Sequence, residues 1–275
     1  MRAQRLLFLL IIGLFVVESP GMGVGLSADD AAGRSLILKA LERFAWYDEQ
    51  YFGSRRRSLM TREVRRFDGD GEVEESDQGD YEVFPIDGAP YNRRLTINGR
   101  SLSDEEQGWE AEREAEFREE LQRIRNEENE PDEDEDEDEV VFNEQLMERY
   151  EFTLVGEETW RNRVTHRISF QPRQGDLPVR RNIDHALNNT QGQVWVDAET
   201  FEVARMEFEL IDRVPLWWGV LGTIYEARGS LDRSPVIDDT WGQIQYETYS
   251  DIRVLFKRTR RAELQQWRQF ELIEE

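Results

Sequence analysis

The chain of 275 residues contains no cysteine. That absence removes disulfides, thiolate nucleophiles, cysteine metal sites and any lipid-modified cysteine, and it leaves the compartment open. Histidine is nearly as scarce. His166 falls on the apolar face of a strand-like run, where a buried, hydrogen-bonded structural histidine is expected. His185 falls in a polar stretch and is expected to be exposed. No HExxH, GxSxG, GxGxxG or phosphate-loop pattern occurs. Acidic pairs such as Asp238-Asp239 carry little information among 59 acidic residues. Positive charge is short too: the formal net charge is −24, which disfavours nucleic acid and an anionic bilayer surface as partners. The reading is of a protein that is not an enzyme and holds no cofactor or metal.

The only long apolar run is at the start. Arg2 and Arg5 precede Leu6 to Val17, which is apolar apart from Gly13. The run is shorter than the ~20 residues of a membrane span, so it reads as a cleaved signal peptide and not as a permanent transmembrane anchor. Gly21-Met22-Gly23 and Leu26-Ser27-Ala28 offer cleavage sites. The expected division is a signal peptide over 1–28 and one exported, periplasmic domain over 29–275.

Helical spacing of Leu38, Leu41, Phe44 and Ala45 predicts a helix from Ser35 to Phe52, with Asp29 or Asp30 as candidate cap. Strand-like runs follow over Leu59–Phe67, Gly71–Ser76, Tyr81–Ile86 and Arg93–Ile97, separated by Asp-Gly and Asn-Gly turns. Ser103-Asp104-Glu105-Glu106 fits a capping box and opens an acidic helix with a thin stripe of Trp109, Phe117, Leu121 and Ile124. Such a helix is expected along a surface. Asp132 to Glu139 is wholly acidic and reads as a disordered insert, so the acidic helix and insert span about 103–139. From Tyr150 a meander of strands runs to Leu272, interrupted by a polar loop from Gln171 to Thr190. Helices early and strands throughout give an α+β chain built on a curved antiparallel sheet.

The most informative stretch is Gly192 to Leu221. Two strand-like runs flank Asp197-Ala198-Glu199-Thr200. In the second, Ala204, Met206, Phe208 and Leu210 alternate with Val203, Arg205, Glu207 and Glu209, so one face is apolar. Pro215 stops the strand, and Trp217-Trp218-Gly219-Val220-Leu221 follows. Two adjacent tryptophans cannot both face one core from a strand. Met206, Phe208, Leu210, Trp217, Trp218 and Leu221 are therefore the candidate lining of an apolar ligand site. The plainer alternative is a half-buried sheet covered by the first helix.

Pro85 to Ser103, with Ile86-Asp87-Gly88-Ala89-Pro90-Tyr91, and Gly192-Gln193-Val194-Trp195-Val196-Asp197 resemble exported bacterial proteins of the outer-membrane lipoprotein-sorting type, LolA/LolB-like. The resemblance implies a half-open β-barrel covered by helices. It also implies a carrier or chaperone-like function, with a lipid or lipoprotein acyl chain held in an apolar cavity. The absent cysteine rules out a lipid-anchored acceptor of the LolB kind, and the acidic helix departs from the basic carrier. The alternative function is an envelope protein–protein interaction module without lipid cargo.

Overall fold

The computed structural model describes residues 27–51, 56–127, 144–179, 182–216 and 222–273. Residues 1–26 of the proposed signal peptide, the acidic run Asp132 to Glu139, and Trp217, Trp218 and Leu221 lie outside the described residues.

Helix α1 spans Ala28–Tyr51. Its cap is Ser27, two residues before Asp29, in a capping box: the Asp30 amide donates to Ser27 Oγ at 3.1 Å and the Ser27 amide to Asp30 Oδ2 at 3.3 Å. Strands β1 (Arg56–Phe67), β2 (Val73–Ile86) and β3 (Ala89–Arg94) form a meander, followed by the small ribbon β4 (Thr96–Ile97) and β5 (Arg100–Ser101). Helix α2 (Asp104–Glu127) and the short α3 (Glu144–Arg149) lead into β6 (Tyr150–Trp160) and β7 (Arg163–Pro172). After α4 (Asn182–Leu187) come β8 (Thr190–Asp197), β9 (Val203–Leu210), β10 (Val214–Leu216), β11 (Gly222–Ile237), β12 (Thr240–Val254) and β13 (Lys257–Leu272).

These strands make one 11-stranded sheet in the order β3-β2-β1-β13-β12-β11-β9-β8-β7-β6, with β10 beside β11. Every pairing is antiparallel. Strands β3 and β6 are its two edges, so the curved sheet stays open. The last strand pairs with the first, Glu263 facing Val64, which joins the two ends of the chain across the middle of the sheet.

Several strands run longer than the apolar alternation marked. Gly71–Ser76 and Tyr81–Ile86 are parts of the single strand β2, and Gly242–Thr248 continues through Ile252 as β12. The joining residues are polar on both faces, so no period of two is visible there. The run from Arg93 to Ile97 is instead split between β3 and β4, and the expected polar loop contains α4.

The core lies between α1 and one face of β6, β7 and β8. Ile37 and Ala40 meet Met147, Tyr150, Phe152, Ile168, Val194 and Val196. Gly33 lets the helix settle: a Cβ there would lie 2.7 Å from the Phe152 carbonyl oxygen. The edge strand β6 is thereby covered by α1.

Candidate functional site

Register carries one row of side chains across the α1 face. Phe152 pairs with Phe170, Phe170 with Gly192, Gly192 with Phe208, and Phe208 with Gly229. Directly opposed residues point to the same side of a sheet, so large and absent side chains alternate along this row. A Cβ on Gly192 would stand 2.6 Å from Phe170 Cζ, and one on Gly229 would stand 2.7 Å from Phe208 Cζ. The rings therefore lie down over the glycines instead of standing off the sheet. The neighbouring row, Leu154, Ile168, Val194, Met206, Leu231 and Tyr246, is apolar until its last member. Burial pushes the Tyr246 phenol above its ordinary pKa.

Of the residues singled out from sequence, Met206 packs against the core cluster under α1. Phe208 and Leu210 are half-buried on the same face, farther from the helix. Phe170 and the two glycines belong to this surface and were missed. A glycine inside each of two strands is the signal that marks them.

Beyond Gly229 the same face turns polar through Thr248, Glu263, Val64 and Asp77. Arg62 Nε donates to Glu263 at 2.6 Å, and Arg261 and Gln265 share that carboxylate. Burial alone raises the Glu263 pKa, but the hydrogen bond and charge of Arg62 outweigh it and hold the carboxyl below its ordinary value. An open cavity of about 230 Å³ lies between Arg62, Arg66, Glu75, Asp77, Asn98 and Arg261. It is ion-paired and polar, unlike an acyl-chain cavity.

The expected turn at Asp197 is held tightly. Arg163 grips the Asp197 carboxylate at 2.5 and 2.9 Å, and the Thr200 amide and hydroxyl each donate to it at 2.9 Å. Burial raises the Asp197 pKa, and these donors more than reverse the effect. Next to it, Glu202 accepts from Arg43 of α1 at 2.9 Å and from Arg233 of β11 at 2.8 Å. The hairpin thus ties the helix to the sheet.

Helix α2 lies on the other face of β2 and β3, against Phe84 and Tyr91, which alternate away from Met60 and Tyr81. Phe117 stacks on Tyr91 at 5.1 Å and Glu114 bridges to Arg93 at 2.7 Å, whereas Trp109 is 60% exposed. This is the surface position that the thin stripe predicts.

Neither histidine behaves as a site. His166 is half-buried, with Nδ1 3.4 Å from Glu157 and no hydrogen-bond partner, in place of the buried bonded state expected. His185 sits on the short helix α4 and is half-buried, not exposed. Among the described residues, no group of three or more His, Cys, Asp or Glu could hold a metal ion. No described helix is long and apolar enough to cross a membrane.

No known protein family matches the sequence, and no curated protein does. Solved structures do match. A DUF1329 family protein from Desulfovibrio piger is 12% identical, covers 90% of this chain and 94% of its own, and has a TM-score of 0.34. A putative outer membrane lipoprotein-sorting protein domain from Vibrio parahaemolyticus is 10% identical over 88% of this chain and 93% of its own, with a TM-score of 0.34. A LolA superfamily protein from Nitrosomonas europaea is 10% identical over 88% and 94%, with a TM-score of 0.31. The open antiparallel sheet with helices laid against it is the architecture that the resemblance to the LolA/LolB-like proteins implied.

Proposed function

We propose that the chain is an exported, non-enzymatic carrier that holds a lipid or lipoprotein acyl chain against the α1 face of its half-barrel. The observation that carries this reading is the row Phe170, Gly192, Phe208, Gly229, where two rings lie over two missing side chains. Such a row makes a low, flat, apolar floor beside α1, with Met206, Phe208 and Leu210 along it. Trp217, Trp218 and Leu221 complete the proposed lining. Sheltering some ten methylenes at ~0.8 kcal/mol each gives roughly 8 kcal/mol, about micromolar affinity before ordering costs. Helix α1 already fills the space over β6 to β8, so cargo enters beside it or displaces it.

The test is native mass spectrometry and lipid extraction on the protein exported to a bacterial periplasm and purified without detergent. A stoichiometric acyl-bearing species is expected. Replacing Phe208 by Ser should remove it while circular dichroism stays unchanged. A bare protein mass, with no uptake of added lipid or lipopeptide, would overturn the carrier.

The interaction module is favoured by one observation, the full burial of Ile37 and Ala40 against the sheet. That half of the face is closed by the protein's own helix, and acidic α2 with exposed Trp109 is then the surface offered to a basic partner. Salt-sensitive capture of a protein through α2, with no lipid bound, would support it.

A further inference from the structure

The hairpin between β12 and β13 departs from five other hairpins of this chain. Their turns are Asp68-Gly69-Asp70-Gly71, Asp87-Gly88, Asn98-Gly99, Arg161-Asn162 and Asp238-Asp239. Polar and glycine residues suit an apex that is solvated and visits positive φ. At β12–β13 the apex is Leu255-Phe256. Leu255 has φ +53°, a conformation that costs an apolar branched side chain. Phe201, also at positive φ, is packed against the core. Leu255 and Phe256 are not: Phe256 is 102% exposed, Leu255 57% and Val254 47%. Among the described residues nothing covers this apolar cluster.

The apex is also basic. Arg253, Lys257 and Arg258 flank it, and Lys257 is one of two lysines in the sequence. Arg258 is neutralised by Asp251 at 2.6 Å and lies over the Tyr225 ring at 4.5 Å. Among the described residues, Arg253 and Lys257 have no carboxylate partner. On one side the hairpin outruns the sheet, because β1 ends with Phe67 opposite Arg260 and Lys257 stands roughly 10 Å of strand beyond it, while on the other side β11 accompanies β12 up to Val254, opposite Gly222. Exposed Val73 and Ile211 stand at the same end of the sheet.

We propose that the Val254-Leu255-Phe256 apex is a membrane-docking element that dips into the interface of an anionic lipid bilayer, with Arg253 and Lys257 at the headgroups. A protein pocket calls for a fitted, mostly paired surface. A narrow convex apex with unpaired cations on flexible stems fits a shapeless interface with phosphates above apolar chains. The net charge of −24 disfavours an anionic bilayer for the molecule as a whole, and Asp68, Asp70 and Glu72 of the β1–β2 turn stand at the same end, so the contact is confined to the apex. The inference stands apart from the identity of any cargo.

The test uses the exported protein with vesicles of phosphatidylcholine alone or mixed with phosphatidylglycerol. Flotation should recover the protein with the mixed vesicles. The double variant Leu255→Asp/Phe256→Asp should weaken association by roughly tenfold or more, the loss expected when large apolar side chains no longer leave water. Arg253→Gln/Lys257→Gln should weaken it on the mixed vesicles only. The natural chain lacks cysteine, so Phe256→Cys takes a single polarity-sensitive fluorophore. Its emission should shift to the blue with vesicles, and that of Asp238→Cys, at the other end of β12, should not. The proposal is overturned by absence of vesicle association, by association that the Asp variant leaves unchanged, or by an unshifted label at position 256. A label at 256 that crosslinks a protein partner while vesicles do not bind would also overturn it.

Discussion

Helices α1 and α2 are each 24 residues long, each begins in a capping box, and they lie on opposite faces of the sheet. They are held by different physics. Helix α1 is buried through Ile37 and Ala40 and tied to the sheet by Arg43 on Glu202 and Asp30 on Thr153. Helix α2 meets the sheet through Phe117 and Arg113 on the Tyr91 ring and the Glu114–Arg93 bridge, while Glu110, Glu114 and Glu120 also pair with Arg113, Arg118 and Arg123 of the helix itself. Burial is insensitive to salt and is lost only on unfolding. Exposed pairs are each worth about 0.2–1 kcal/mol and are screened. The first helix is therefore held chiefly by burial, and the second by one buried ring and by pairs that salt screens.

The largest break in this comparison comes from charging the α1 seam. Ile37→Asp places an unpaired carboxylate at a fully buried position and should cost on the order of 4 kcal/mol or more. Urea unfolding should show the loss. A midpoint within experimental error of the parent would mean that α1 is not part of the cooperative core. Next is Glu202→Ala, which strips the shared carboxylate, itself 1% exposed, from Arg43 and Arg233. Removing one partner of a buried ion pair typically costs about 3–5 kcal/mol. Glu202→Gln, which keeps the shape and one acceptor oxygen, should cost less, and a loss equal to that of Glu202→Ala would show that charge and not shape matters there.

On α2 the effects shrink and become local. Phe117→Ala forfeits the ring pair, worth about 1 kcal/mol beyond its area. Amide exchange along α2 should speed up while the global unfolding midpoint barely moves. The same local loosening should follow high salt in the parent, but not in α1. Equal protection of both helices at every ionic strength would erase the distinction.

How much of this was legible follows the same division. Helix α2 was readable because its signals are local: Ser103 and Glu106 form the box and Phe117 of the stripe packs on Tyr91, whereas Trp109 and Ile124 of that stripe stay exposed. The apolar face of β9 was readable because alternation is local too. The rest depends on pairing at long range. Nothing near Val64 announces Glu263, and nothing near Gly192 or Gly229 states that Phe170 and Phe208 will lie over them. Helix α1 began earlier than its apolar pattern because Ser27, outside that pattern, caps it. Cleavage of the proposed signal peptide after Ala28 would remove that cap and cleavage near Gly23 would keep it, so the intact mass of the purified protein reads which start the helix retains.

The smallest effect separates the two capping boxes themselves. Glu106 is held down to about 2 by the Arg100 guanidinium, at 2.7 Å on each oxygen, and by the Ser103 amide. Asp30 is also lowered, first by the Thr153 hydroxyl at 2.6 Å and then by Ser27. Both carboxyls are depressed in the folded state, so each contributes above its ordinary value, 4.5 for Glu106 and 3.8 for Asp30, and the contribution fades as pH falls through the lowered one. The partners differ in kind. Arg100 is on β5, next to α2 in sequence, whereas Thr153 is on β6, across the core seam. Arg100→Gln should raise the Glu106 titration seen by carboxyl NMR toward its ordinary value and leave the rest of the protein alone. Thr153→Ala should raise Asp30 and also loosen the start of α1 on β6. If Thr153→Ala changed only the titration of Asp30, the α1 box would be as local as that of α2, and burial of Ile37 and Ala40 alone would distinguish the two helices.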